Sequence, residues 1–163
     1  MMKTAVDTNI LLDILTDDRE HGDASEAALR ESVAAGPVVA CPVVVAETLG
    51  WFSSAEDARG FFYDVGVTAD ALGWPCLVES ARVWQTYTKN RSASLTCPRC
   101  GTNTLVSCPQ CGASLRIRQH ILSDFLIGGH ALHQADRLLT RDRGFYGAYF
   151  ANLVVYDPSV PVD

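Results

Sequence analysis

The stretch that decides the fold is TAVDTNILLD, residues 4–13. Its first three residues are β-branched or apolar and run directly into Asp7, which predicts a short buried strand that ends at a carboxylate. Apolar residues then return at helical spacing, and this pattern predicts a helix that starts at Thr8. A strand that leads straight into a helix is typical of α/β domains built around a parallel sheet.

The same alternation of strand and helix patterns continues along the chain. Further extended segments are predicted at Val38–Cys41, Val67–Leu72, Arg137–Thr140 and Leu153–Tyr156. Helices are predicted over Asp23–Ala34, from Pro42, over Ala55–Val65, Pro75–Asn90, Ile121–Ala135 and Phe145–Phe150. The expected fold class is therefore α/β, with a parallel sheet that has helices on both faces.

The bulk composition is that of one globular domain. The chain has 163 residues, of which 48% are hydrophobic and 20% charged, a normal balance for a folded domain. The longest apolar stretch, Val38–Ala46, contains Pro42 and is far shorter than the roughly 18 residues that a membrane span needs. Asp7 interrupts the first apolar run, so no secretion signal is predicted. We expect a cytoplasmic protein without a membrane partner.

Acidic residues lie where an α/β fold would gather them. Asp7 ends the first strand, Asp142 follows the strand near Leu138, and Glu47 and Asp124 are expected in the first turns of neighbouring helices. Each acid alone could simply cap its helix or complement the helix dipole. Four together would repel one another unless a hard divalent cation such as Mg²⁺ or Mn²⁺ bound between them.

Four motifs carry a resemblance to a known family. They are Val6–Asp13, Ala46–Thr48, Asp124–Ala131 and Leu138–Phe145. The motifs resemble the PIN-domain family, and more narrowly the VapC toxins of bacterial toxin–antitoxin pairs, over about residues 3–91 and 117–158. The resemblance implies a PIN-like fold (ribonuclease-H/Rossmann-like) and a metal-dependent endoribonuclease. It implies that Asp7, Glu47, Asp124 and Asp142 bind Mg²⁺ or Mn²⁺, and that Thr8, Asn9 and Thr140 orient these carboxylates.

The resemblance also implies partners for the chain. These are an RNA substrate, a small VapB-like antitoxin that blocks the acidic cleft, and a second copy in a homodimer. Two other functions stay open from the sequence. One is a housekeeping nuclease of RNA maturation, and the other is a catalytically idle adaptor that contains zinc and binds RNA or protein.

Six cysteines in a chain without a secretion signal do not suggest disulfides. Four of them form two Cys-x-x-Cys pairs, CPRCG at 97–101 and CPQCG at 108–112. This pattern predicts a structural Zn²⁺ site with the ligands Cys97, Cys100, Cys108 and Cys111. Iron and a redox-active pair are the alternatives. Cys41 and Cys76 lie in apolar contexts and are predicted to be core residues.

The cysteine pairs lie in a segment that differs from the rest of the chain. Residues 92–118 are predicted to form a small zinc-ribbon-like insertion within one discontinuous domain, 1–91 and 119–163. The net charge is −6, yet Ser80–Ser123 contains no acid and six cations. Arg99, Arg116 and Arg118 could extend an RNA-binding surface. The alternative for the charges is a solvated face whose uneven distribution arose by chance. The alternative for the insertion is that its metal only stabilises a loop that lacks its own core.

Three smaller features lead to expectations about packing. Asp13 lies off the helical register of Asp7 and is expected to be solvated. Gly128 and Gly129 lie within a predicted helix, where they are unfavourable, and this suggests that another backbone passes close by. His130 and His133 are expected at packing or surface positions and not as catalytic bases.

Overall fold

A computed structural model describes residues 1–90, 94–97, 99–115 and 120–160. The strands are β1 (Thr4–Val6), β2 (Val38–Ala40), β3 (Val67–Ala69), β4 (Ser94–Thr96), β5 (Asn103–Leu105), β6 (Arg137–Leu139) and β7 (Val155–Tyr156). The helices are α1 (Thr8–Leu15), α2 (Gly22–Ala35), α3 (Pro42–Leu49), α4 (Ala55–Asp64), α5 (Trp74–Asn90), α6 (Leu122–Gln134) and α7 (Arg143–Tyr149). The predicted alternation of strands and helices is confirmed, and the extended stretch at 67–72 contributes the strand β3.

Five strands form one parallel sheet in the order β3-β2-β1-β6-β7. The strand β1 is central, and its three residues are all buried. Its register aligns Ala5 with Val39 on one side and with Leu138 on the other. All of these residues are buried, because a central strand of a parallel sheet is covered on both faces by helices.

The helix α1 buries the apolar face that the opening sequence predicts. Ile10 and Leu11 are fully buried in the main core. The neighbouring strands β1 and β6 supply Val6, Leu138 and Leu139 to the same core. Burial of large aliphatic side chains contributes about 1.5–3 kcal/mol each, so this packing fixes where α1 begins relative to the sheet.

The two glycines of α6 lie at close contacts. A Cβ on Gly129 would lie 2.7 Å from the Cys76 carbonyl oxygen of α5 and closer still to the Ser80 hydroxyl. The predicted backbone approach is therefore confirmed for Gly129. At Gly128 the prediction is wrong, because the close neighbour is a side chain and not a backbone. The Cζ atom of the Phe150 ring would lie 2.6 Å from a Cβ at this position.

We expect Gly129→Ala to lower the free energy of unfolding by about 1–3 kcal/mol, because the added methyl group overpacks the contact between α5 and α6. Gly60 in α4 offers a matched control, since nothing lies within 4 Å of a Cβ there. Gly60→Ala should be neutral or stabilising by up to about 1 kcal/mol, as alanine favours the helix. Urea unfolding of both variants measures the difference, and equal stability of the two would contradict the close contact.

The strands β4 and β5 form a separate antiparallel hairpin between α5 and α6. This hairpin lies within the predicted insertion. The predicted boundaries of that insertion, 91/92 and 118/119, lie outside the described residues, and so do Arg116 and Arg118. None of the helices that the structure describes is long and apolar enough to cross a membrane.

Candidate active site

The carboxyl ends of β1 and β6 meet at the point where the strand order changes direction. From β1 the chain adds β2 and β3 on one side, and it later adds β6 and β7 on the other. Ligands of open α/β sheets bind at such a switch point, outside the carboxyl ends of the strands. Asp7 follows β1 and Thr140 follows β6, so the sheet brings these two side chains to the crevice.

Asp7 is buried in this crevice, with 6% of its surface exposed, and hydrogen-bond donors surround its carboxylate. Oδ1 accepts from the Thr8 N–H at 2.7 Å, so Asp7 is also the N-cap of α1. Oδ2 accepts from the Thr140 hydroxyl at 2.6 Å and from the Asn9 amide at 2.9 Å. The buried Tyr146 hydroxyl donates to the same oxygen at 3.3 Å.

Burial raises the pKa of Asp7 from its usual 3.8 to about 6. The hydrogen bonds from Thr140, Thr8 and Tyr146 lower this pKa, while the nearby charge of Asp124 raises it further. The donors therefore stabilise the buried negative charge only in part. A cation bound at this carboxylate would remove the remaining cost of ionisation.

Asn9 holds two parts of the crevice together. Its Nδ2 group donates to Asp7 Oδ2 and, at 3.0 Å, to Thr140 Oγ1. Its Oδ1 atom accepts from the backbone N–H of Arg141 at 3.3 Å. The structure thus places Asn9 and Thr140, both predicted to orient the carboxylates, in direct contact with Asp7.

Glu47 reaches the crevice from α3. The expectation that it lies in the first turn is wrong, because α3 already begins at Pro42 and Glu47 is its sixth residue. From the second turn, the longer glutamate side chain accepts from the Thr8 hydroxyl at 2.5 Å. Thr8 therefore contacts two of the predicted acids, Asp7 through its backbone and Glu47 through its side chain.

Asp124 lies in the first turn of α6, as expected. Its Oδ2 atom accepts a hydrogen bond from the Ile121 backbone N–H at 2.9 Å. This is one of the two hydrogen bonds of a capping box. The second cannot form, because the Ile121 side chain has no acceptor for the N–H of Asp124. Burial raises the pKa of Asp124, and the charges of Glu47 and Asp142 add to the shift. The ring of His120 opposes it, with Nδ1 at 3.9 Å from the carboxylate.

Asp142 is exposed and is the N-cap of α7. Its Oδ1 atom accepts from the Phe145 N–H at 3.0 Å, and its own N–H donates to Thr140 Oγ1 at 3.0 Å. The Thr140 hydroxyl therefore joins Asp7, to which it donates, to the backbone of Asp142. Asp142 can therefore cap α7 and also lie at the crevice, just as Asp7 caps α1 and lies in the crevice.

The structure brings the four predicted acids into one electrostatic group. Asp124 acts on the pKa of Asp7, and Glu47 and Asp142 act on that of Asp124. Oxygen ligands of this kind suit Mg²⁺ or Mn²⁺, so the donor chemistry fits such an ion. Within the described ranges, however, no three or more acidic, His or Cys side chains are arranged to hold an ion. Metal binding would have to exchange some of the present hydrogen bonds for metal contacts.

The raised pKa of Asp7 predicts a pH-dependent stability of the metal-free protein. A folded-state pKa of about 6 means that the folded protein binds the proton more tightly than the unfolded chain does. The contribution of Asp7 to stability should therefore fall as the pH rises from about 4 to 6, by roughly 3 kcal/mol at most for two pKa units. The measurement is urea unfolding of wild type and Asp7→Asn in EDTA at pH 4.5 and 7.5.

The neutral Asp7→Asn variant should lack this component of the pH dependence. The stability difference between the two proteins should thus shift in favour of Asp7→Asn at the higher pH. Mg²⁺ bound at this carboxylate would stabilise wild type more than Asp7→Asn there, because a ligand of the folded state raises stability by mass action. A stability difference that does not change with pH would show that Asp7 titrates normally.

The prediction that Asp13 is exposed to solvent is wrong. Only 5% of its side chain is exposed, and it forms a bidentate pair with Arg141, at 2.7 Å from Nε and 2.8 Å from Nη2. The Ser25 hydroxyl also donates to it, at 2.6 Å. The reason is the position of α2 and of the loop after β6, which together cover this face of α1. The pair anchors the loop that carries Asp142.

Two residues beside the acids were missed by the sequence reasoning. Tyr146 is fully buried and donates to Asp7; its position four residues after Asp142, one helical turn on, is the signal that could have identified it. His120 lies near Asp124, and its ring packs on Phe145 with a centroid distance of 4.4 Å. His120 also lies four residues from a predicted acid, but it precedes the start of α6 at Leu122, so helical spacing does not mark it.

The remaining predicted residues lie away from the acids or at the surface. Cys41 and Cys76 are buried, as predicted, whereas Cys100 and Cys111 are exposed. Arg99 is exposed beside the first cysteine pair. His130 is a packing residue, with 1% exposure and a contact of 3.2 Å to Asp70, and His133 is exposed. Both histidines thus have the packing or surface positions that were expected.

Comparisons with known proteins show where this fold occurs. No known protein family matches the sequence, and no curated protein matches it. Among solved structures, the fold is similar to VapBC2 from Rickettsia felis bound to a DNA fragment from their promoter, with a TM-score of 0.60 and 14% identity over 96% of this chain and 98% of the other. The fold is also similar to VapBC-1 from nontypeable Haemophilus influenzae, with a TM-score of 0.60 and 15% identity over 98% of this chain and 100% of the other.

A toxin–antitoxin complex from Klebsiella pneumoniae is also similar, with a TM-score of 0.54 and 16% identity over 97% of this chain and 99% of the other. At such identities the likeness concerns the fold. The chain has an α/β fold of the PIN type, in which helices flank a parallel five-stranded sheet. More narrowly, the architecture is like that of chains in VapBC complexes, which confirms the fold expected from the four motifs.

Proposed function

We propose that the chain is a divalent-metal-dependent endoribonuclease and the toxin of a VapBC-type toxin–antitoxin pair. The observation that carries the proposal is the group of four carboxylates at the switch point, where burial raises the pKa of Asp7 to about 6. A fold tolerates such uncompensated negative charge most readily where a cation binds. Functional sites are also where strongly shifted pKa values concentrate.

In this proposal Asp7, Glu47, Asp124 and Asp142 hold Mg²⁺ or Mn²⁺. The ion would activate water and stabilise the negative charge of the phosphodiester that is cleaved. The surrounding residues orient the carboxylates: Thr140 and Asn9 fix Asp7, and the hydroxyl of Thr8 fixes Glu47. Loss of such orienting contacts in metal sites typically reduces metal affinity or activity by about 10–100-fold.

The proposed partners are inferred from the likeness of the fold to chains in VapBC complexes. The proposed substrate is RNA, and the exposed Arg99 would add a positive charge that could meet its phosphates. The similar structures include a toxin–antitoxin complex, so we include a small VapB-like antitoxin that covers the acidic crevice. A homodimer completes the proposed assembly.

The test is RNA cleavage by the purified full-length chain. Cleavage should require Mg²⁺ or Mn²⁺, stop in EDTA and resume when the metal is restored. Mapping of cut sites in total RNA would define the target. Failure to cleave RNA with either ion, by a protein that is folded and binds the ion, would reject the nuclease assignment and favour an idle adaptor.

Expression in growing cells separates the toxin from a maturation nuclease. A toxin should arrest growth, and co-expression of its cognate antitoxin should restore growth. A maturation enzyme should be harmless at the same level and should correct the ends of a specific RNA. That second outcome would overturn the toxin role while leaving the nuclease activity in place.

A further inference from the structure

The two cysteine pairs lie in two turns that share the same backbone hydrogen bonds. In each, the glycine after the second cysteine donates its N–H to the carbonyl of the first cysteine, at 2.9 Å from Gly101 to Cys97 and at 2.8 Å from Gly112 to Cys108. Both glycines have positive φ, +71° and +70°, with nothing within 4 Å of a Cβ. The backbone conformation is therefore what requires glycine at both positions.

Each turn closes a short antiparallel pair of chain segments. Cys97 N–H donates to the Thr102 carbonyl at 2.8 Å, and Cys108 N–H donates to that of Ala113 at 2.9 Å. The hairpin of β4 and β5 flanks the first turn, and a bridge between Ser107 and Ser114 flanks the second. The same hydrogen-bonded unit thus occurs twice, eleven residues apart. We call these units the two knuckles, with described residues 97 and 99–102 in the first and 108–113 in the second.

In each knuckle the two thiols lie side by side. Cys97 lies close enough to Cys100, and Cys111 to Cys108, for the two side chains of each pair to interact. Backbone N–H groups of Gln110 and Cys111 also point at the sulfur of Cys108. Such N–H groups stabilise a sulfur that carries negative charge, as a metal-bound thiolate does.

The segment that carries the knuckles has no apolar core. None of its described residues between 94 and 115 is buried, and its largest side chain in β5, Leu105, is 76% exposed. Small segments without a core usually depend on a disulfide or a metal for their fold. The hairpin therefore needs a stabilising element that its own side chains do not supply.

We propose that Cys97, Cys100, Cys108 and Cys111 bind one Zn²⁺ within a single chain. Four thiolates form a closed tetrahedral site, which is structural because no position is left for substrate. In the described residues no three thiols are yet arranged around one ion, so binding would draw the two knuckles together. The site does not depend on the proposed nuclease function.

The experiment measures metal content and geometry in the purified full-length chain. Elemental analysis should give about one Zn²⁺ per chain, and Co²⁺ in its place should show the visible bands of a tetrahedral thiolate complex. Cys97→Ser and Cys108→Ser should each lose the metal. Cys76→Ser is the matched control, because this buried cysteine lies outside the knuckles and its partner, Gln134, can accept from a serine.

Three outcomes would overturn the proposal. They are zinc that is retained by both knuckle variants, iron in the site of the native protein, and zinc that is bound only by a dimer and lost on dilution to the monomer. The last would mean that each knuckle pairs with another chain. Asp7→Asn should keep its zinc in full, so failure of the nuclease proposal and failure of the zinc proposal remain distinguishable.

Discussion

Replacement of Asp7 by Asn is expected to reduce metal-dependent RNA cleavage by at least about 100-fold. Asp7 is the most buried of the four acids and receives four hydrogen bonds. Loss of contacts that merely orient a metal ligand costs about 10–100-fold, so loss of the ligand charge itself should cost at least as much. The asparagine keeps the shape of the side chain and removes the charge that would hold the ion.

The measurement is the initial rate of RNA cleavage at saturating Mg²⁺, with far-UV circular dichroism to show that the variant is folded. Asp23→Asn is the matched control, because Asp23 is an exposed acid in the first turn of α2 and is not one of the four proposed metal ligands. Its activity should equal that of wild type. Cleavage by Asp7→Asn at the wild-type rate would remove Asp7 from the site and with it the proposed function.

Replacement of Arg141 by Met is expected to lower the free energy of unfolding by about 3 kcal/mol. The change leaves the carboxylate of Asp13 buried, with only the Ser25 hydroxyl as a side-chain donor. Removal of one partner of a buried ion pair costs about 3–5 kcal/mol. The lower end applies here because 31% of the Arg141 side chain is exposed to water.

Urea unfolding at pH 7 measures this effect. The neighbouring Arg143 is exposed, and Arg143→Met should change stability by less than about 0.5 kcal/mol. The double variant Asp13→Asn/Arg141→Met should be more stable than Arg141→Met, because no unpaired charge remains buried. A loss below about 1 kcal/mol for Arg141→Met would mean that water replaces the guanidinium without difficulty.

The amino-acid sequence by itself was enough to predict the five strands of the parallel sheet, most helix starts and the α/β class. These features depend on neighbours along the chain: the run of residues 4–6 before Asp7, Pro42 at the start of α3, and the glycines after the paired cysteines. Periodicity and turn chemistry act within a few residues, so they can be recognised without knowledge of the fold. The placement of Asp7 and Asp142 near strand ends follows from the same local signals.

Only the tertiary structure decided which acids are buried, and by what. Asp13 and Arg141 are 128 residues apart in the chain, and no local pattern indicates that α2 and the loop after β6 cover Asp13. The contact of Tyr146 with Asp7 likewise depends on the strand order, which places β6 beside β1. A carboxylate on a helix has the same local sequence whether water or an arginine faces it. The run TAVDTNILLD therefore determines a strand, a carboxylate and a helix, while the sheet around it determines that one of its aspartates faces the crevice and the other an arginine.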